Sequence, residues 1–160
     1  MNIIELVPYV EDMEEMLEYY RLKDGQELFV LHPKEAIDIC KYEKERRPFV
    51  LQARGEIVGF LVLHSGGGVR SFSEYEHAVL VRAFSIDARE QGKGYAKKAI
   101  SQLPSLVATH FPMANEIVLA VNQKNEPARS LYESVNFKYT GRCIEGRSGL
   151  QDVMHFPLTK

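Results

Sequence analysis

"QGKGYAKKAI", Gln91 to Ile100, sets two glycines and three lysines at the mouth of a helical pattern. Glycine costs about 1 kcal/mol against alanine inside a helix. Two of them at a helix start therefore mark either a flexible turn or a backbone that must come close to a ligand. The ligand that such a mouth suits is a phosphate, because a helix N-terminus offers unpaired N–H groups at the positive end of its dipole. Without Cβ atoms on Gly92 and Gly94 a pyrophosphate can lie against the backbone, and Lys93 or Lys97 can add charge. Two other phosphate loops are excluded. There is no G-x-x-x-x-G-K-[ST], and Lys97 stands where the third glycine of G-x-G-x-x-G would fall.

Working outward, "HAVLVRAFSID" (77–87) reads as a strand running into the loop. Downstream, Tyr95, Ala96, Ala99, Ile100, Leu103, Leu106 and Val107 recur at helical spacing, with Pro104 expected to kink or end the helix early. "EIVLAVN" (116–122) reads as a strand, and Asn125 to Val135 as a short helix with Asn125 as its N-cap and Pro127 in the first turn. "FVLQARGEIVGFLVLHS" (49–65) is β-rich on both sides of Arg54-Gly55-Glu56, which predicts a hairpin, and 65–76 is a loop. The last segment, "FKYTGRCIEGRSGLQDVMHFPL", predicts two strands about Glu145 to Gly149. At the other end, 9–22 and 34–46 both carry amphipathic helical patterns. The order α-α-β-β-β-α-β-α-β-β implies an α/β protein, a mixed sheet with helices packed on it. With no repeat or low-complexity linker, residues 1–160 read as a single domain.

Composition narrows the function. The 160 residues are 45% hydrophobic and 26% charged, with a net charge of -2, which argues against a nucleic-acid binder that needs a concentrated basic face. The first 20 residues hold six acids (Glu5, Glu11, Asp12, Glu14, Glu15, Glu18) and no Lys or Arg, unlike a secretory signal. No apolar stretch reaches the roughly 18 residues of a membrane span. Cys40 and Cys143 form no disulfide framework, so a cytoplasmic location is expected. The histidines are scattered without metal-ligand spacing, and no metal is expected.

The loop fits Q/R-x-x-G-x-G/A through Gln91, Gly94 and Ala96, and in this it resembles the GNAT N-acetyltransferase superfamily. "LAVNQKNEPARSLYESVNF" (119–137) adds a second match, to L-x-V-x-x-x-N-x-x-A-x-x-L-Y-x-x-x-G-F, through Leu119, Val121, Asn125, Ala128, Leu131, Tyr132 and Phe137. The two motifs stand in the family's order, and the likeness covers about residues 45 to 158. One departure is Asn136 in place of the usual glycine, at a helix end where asparagine tolerates the left-handed conformation.

The resemblance implies a mostly antiparallel sheet with helices on both faces and a splayed parallel strand pair that holds acetyl-CoA. It implies that Phe84, Ser85 and Ile86 bond the pantetheine and polarise the thioester, and that Gln91, Gly92, Lys93, Gly94, Tyr95 and Ala96 hold the pyrophosphate. Tyr132 would be the general acid for the departing thiolate, although its place beside Leu131 and Val135 also suits plain core packing. Asn125 would touch the cofactor as well as cap its helix. Glu76 is the candidate base, with Glu74 and His77 as neighbours at the start of the same strand. The acceptor would be an amine of a small molecule or peptide, selected by residues 20–35 and 65–76. The acidic first segment would either attract a cationic amine or form a solvated face. A non-catalytic acyl-CoA sensor and an enzyme for longer acyl chains are the alternatives. A homodimer through a sheet edge or the last strand would be unsurprising.

Overall fold

The computed structural model describes residues 3–146 and 148–158. Seven strands form one sheet: β1 (Ile4–Pro8), β2 (Arg46–Ala53), β3 (Glu56–His64), β4 (Ala78–Ile86), β5 (Glu116–Asn122), β6 (Lys138–Gly146) and β7 (Gly149–Pro157). Their spatial order is β1-β2-β3-β4-β5-β7-β6. Every neighbouring pair is antiparallel except β4 and β5. Helix α1 (Pro33–Tyr42) precedes β2, α2 (Tyr95–Ser101) and α3 (Leu103–His110) lie between β4 and β5, and α4 (Glu126–Ser134) follows β5.

Alternation along the strands divides the apolar side chains between two faces. On one, Phe49, Leu51, Leu61, Leu63, Val79, Val81, Ile117 and Leu119 bury against Tyr95, Ala99, Ile100, Leu103 and Val107 of α2 and α3. On the other, Val50, Phe60 and Val62 pack on Leu17, Tyr20, Ala36 and Ile37.

The hairpin, β4, β5, α4 and the last two strands fall where the sequence places them, with Arg147 of the final turn outside the described residues. Pro104 acts as expected. The helix breaks at Gln102, and the proline sits in the first turn of α3, where its missing N–H costs nothing.

The N-terminal reading needs correction. Residues 4–8 form an edge strand before any helix, with Leu6 inward, Glu5 outward and Pro8 at its end. The segment read as an α-helix is a 3-10 helix, Glu11–Leu17. Val10, Met13 and Met16 are spaced by three, as are Leu17 and Tyr20, and that spacing suits three residues per turn. The second helix ends at Tyr42, because Arg46 already begins β2.

Candidate active site

The site begins with a defect in the sheet. The β3–β4 register runs from Phe60↔Ser85 to Val62↔Arg82, so Ala83 and Phe84 together face Leu61. This is a β-bulge, and Ala83 takes a left-handed φ of 53° to make it. A non-glycine residue there stores strain on the order of 1–2 kcal/mol. Beyond the bulge β4 turns away from β5: their parallel register spans Ala78↔Glu116 to Val81↔Leu119 and stops. Ser85 and Ile86 stay paired with β3, and their other edge has no partner strand among the described residues.

The gap opens a cleft of about 750 Å³, lined by Phe84, Ser85 and Ile86 of β4 and by Ala120, Val121 and Asn122 of β5. Gln91, Gly92, Gly94, Tyr95 and Ala96 close one end, and Asn125, Leu131 and Tyr132 form a side. The volume lies within the usual range for a small-molecule or cofactor site. Ten of the twelve residues expected from the sequence therefore line one cleft. The others are Lys93, which stands on the same loop but pairs with Glu90 at 2.5 Å, and Glu76.

Local chemistry holds the loop in shape. Buried Asp87 accepts from the Arg89 amide at 3.0 Å and from its guanidinium at 3.2 and 2.7 Å, and Gln91 Nε2 donates to the Ile86 carbonyl at 3.2 Å. Arg54 reaches across from the β2–β3 turn to the Tyr95 hydroxyl at 3.1 Å and to Glu90 at 3.3 Å. Gly92 and Gly94 have φ of 82° and 80°, a conformation that favours glycine, and a Cβ on either would meet nothing within 4 Å. The space over them is open to a ligand. The first bond of α2 runs from the Lys98 amide to the Gly94 carbonyl, so the amides of Tyr95, Ala96 and Lys97 point outward with no partner among the described residues.

Tyr132 is held on α4, whose N-cap Asn125 accepts from the Ala128 amide at 3.2 Å. Asn136 takes a φ of 73°, as expected just past the helix. The Tyr132 ring packs against Phe137 at 6.0 Å, and burial raises the phenol above its ordinary range, so it keeps its proton. Tyr20 had no signal in the sequence beyond its apolar stripe. Its buried hydroxyl bonds the Ser85 hydroxyl at 2.8 Å, and His32 Nε2 meets its carbonyl at 2.8 Å, which anchors β4 beside the bulge.

The cleft continues into a second cavity of about 380 Å³ on the α1 face of the sheet. The two share Phe29, Val30, Phe84, Ala120, Tyr132 and Gln151. The second also exposes Arg46, Phe72, Arg82 and Glu145. Residues 23–30 roof the join, and the Ser148 hydroxyl donates to the Leu28 carbonyl. Glu76 and His77 line a separate hollow of about 430 Å³ with Arg70 and Phe111, at the opposite end of β4 from Ser85. Glu74 pairs with Arg142 at 3.6 Å. None of the six N-terminal acids lines the cleft or the second cavity. Among the described residues no cluster of metal-ligating side chains occurs, and no helix is long and apolar enough to cross a membrane.

Comparison with known proteins agrees with this geometry. The acetyltransferase (GNAT) family matches residues 12–137. The uncharacterized N-acetyltransferase YbbJ of Bacillus subtilis (strain 168) is 36% identical over 140 residues, 87% of this chain and 88% of that protein. Aminoglycoside acetyltransferase AAC(6')-Ib, solved with coenzyme A, shares the fold with a TM-score of 0.74 at 17% identity, over 97% of this chain and 95% of that one. Spermidine N-acetyltransferase from Vibrio cholerae, solved with CoA and spermine, has a TM-score of 0.67 at 18% identity, over 96% and 95% of the two chains. A cleft between splayed parallel strands, ending on a glycine loop and flanked by a buried tyrosine, thus has its counterpart in sequence: the chain belongs to the GNAT family of acetyltransferases.

Proposed function

We propose that the protein transfers the acetyl group of acetyl-CoA to a primary amine of a small molecule or peptide, by direct attack while both substrates are bound. The observation that carries this is the bulge at Ala83 and Phe84, which frees one edge of β4 between the glycine loop and Tyr132. The outward amides of α2, with Gly92 and Gly94 beneath them, hold the pyrophosphate. The strand-unpaired edge of Phe84 to Ile86 bonds the pantetheine, and an N–H there donates to the thioester oxygen as negative charge builds on it.

The amine reaches the thioester from the second cavity, past Phe29 and Tyr132. Its nitrogen bonds the carbonyl carbon and the C–S bond breaks. Tyr132 gives its phenolic proton to the thiolate sulfur and is reprotonated from solvent. The amine gives up its own proton at the cavity mouth, where Glu145 is the lining carboxylate. Glu76 is too far along β4 to take it without a long chain of water.

The test is CoA thiol release by the purified protein over a panel of amines, with acetyl-CoA binding measured separately by calorimetry. Turnover with at least one amine and identification of its N-acetyl product support the reading. Binding without turnover on any amine favours a sensor instead.

A further inference from the structure

We infer that the acceptor carries a carboxylate as well as an amine, and that Arg82, seconded by Arg46, holds that carboxylate in the second cavity. This rests on the acetyl-transfer reading and names its substrate class.

Registers Val62↔Arg82 and Arg46↔His64 set Arg46, His64 and Arg82 on one face of the sheet, and both arginines line the cavity. The surroundings of Arg82 position a guanidinium without neutralising it. Its Nε donates to His64 Nδ1 at 2.8 Å, and its Cζ lies over the Phe72 ring, 5.4 Å from the centroid. Because Nδ1 accepts, the His64 proton sits on Nε2. Burial and the two arginines hold His64 down to about 4, so it is neutral at physiological pH and adds no charge.

Arg82 forms no ion pair among the described residues, whereas Arg46 is paired with Glu43. Burial and then Arg46 lower Arg82 to about 10, so its charge is retained at a cost that an incoming anion relieves. A planar, fixed guanidinium with free terminal donors matches a carboxylate in two parallel hydrogen bonds.

The spacing suits a small molecule. Arg82 and Phe84 flank the bulge residue Ala83 and line the same cavity. A carboxylate on Arg82 therefore leaves the amine of a short amino acid within reach of the join at Phe84 and Tyr132. Glu145 also lines this cavity and is the carboxylate available to the amine end. A polycation would instead meet two arginines, an unfavourable like-charge encounter.

The experiment compares kcat/KM for matched acceptors at low ionic strength: free amino acids, the same amino acids as carboxamides, and spermidine. Wild type, Arg82→Gln, Arg82→Lys and Arg46→Gln are each assayed, and acetyl-CoA affinity is measured for all four. The expected result for wild type is that the free acids exceed their carboxamides by at least about tenfold, the loss expected for a charge-assisted pair. Arg82→Gln removes most of that preference through KM and leaves acetyl-CoA affinity unchanged. Arg82→Lys keeps part of it, and Arg46→Gln has a smaller effect. Carboxamides or spermidine used as well as the free acids by wild type overturn the inference and leave acetyl transfer intact. Acetyl-CoA binding with no turnover on any acceptor overturns both.

Discussion

Phe84 and Tyr132 stand where two unlike halves of the site meet. On the glycine-loop side the cleft is made of backbone: the freed edge of β4, the outward amides of α2, and two glycines whose left-handed φ most side chains disfavour. On the α1 side the cavity is made of side chains, Arg46, Phe72, Arg82 and Glu145, drawn from three strands and a turn. On the proposed reading the backbone half recognises what every acetyl-CoA has in common, and it needs a fixed chain conformation. The side-chain half recognises what differs between acceptors, and it can change without disturbing the fold. The division means that changes to the two halves fail in different ways.

The largest effect is expected where the halves touch. Tyr132→Phe keeps the ring against Phe137 and removes the only proton the phenol can give. We expect kcat to fall on the order of a hundredfold, within the range for lost general-acid catalysis, with acetyl-CoA affinity within twofold of wild type. An unchanged kcat would make Tyr132 a packing residue.

Next is the backbone half alone. Gly94→Val forces a β-branched residue into a φ of 80° at the head of α2. Strain of about 1–3 kcal/mol predicts acetyl-CoA affinity weakened by roughly tenfold or more by calorimetry, while the ranking of amine acceptors stays as in wild type. A changed ranking would mean that the halves are coupled.

Smaller still is the cap that holds Tyr132 in place. Asn125→Ala removes the acceptor of the Ala128 amide. About 1 kcal/mol corresponds to a fall of roughly 2–4 °C in Tm for a chain of this size, read by thermal melting without ligand.

The last effect is electrostatic and confined to the side-chain half. His64 is neutral when folded, with its pKa held down to about 4 from an ordinary 6.5 by burial and by Arg82 and Arg46. Below pH 6.5 the unfolded chain binds a proton that the folded chain refuses, so stability falls between pH 6.5 and 4 and is whole above that window. His64→Gln is expected to flatten that part of the Tm profile. An unaltered slope would place the acid sensitivity elsewhere.

The same division explains what could be read in advance. The glycine loop and the α4 segment are local patterns, in which contiguous residues dictate backbone conformation, so Gln91 to Ala96 and Asn125 to Tyr132 are legible one after another. Ala83 is not. Nothing in "VRAFS" marks an alanine for a left-handed φ, because the bulge is imposed by the register with β3. The cavity is likewise assembled from residues far apart in sequence, such as Arg46, Arg82 and Glu145, each of which alone reads as a solvated charge. The N-terminal acids misled in the opposite way. They form a conspicuous run, yet the 3-10 helix that carries four of them packs through Leu17, and all six face solvent outside both cavities.

Mixing the enzyme with acetyl-CoA alone, then with acceptor, and following intact protein mass and product together tests directly that the amine attacks the thioester across this join. The protein mass should stay unchanged without acceptor, and the acetyl group should appear only on the amine, with velocities depending on both substrates in one ternary complex. A protein one acetyl heavier in the absence of amine, which then passes the group on, would contradict direct attack.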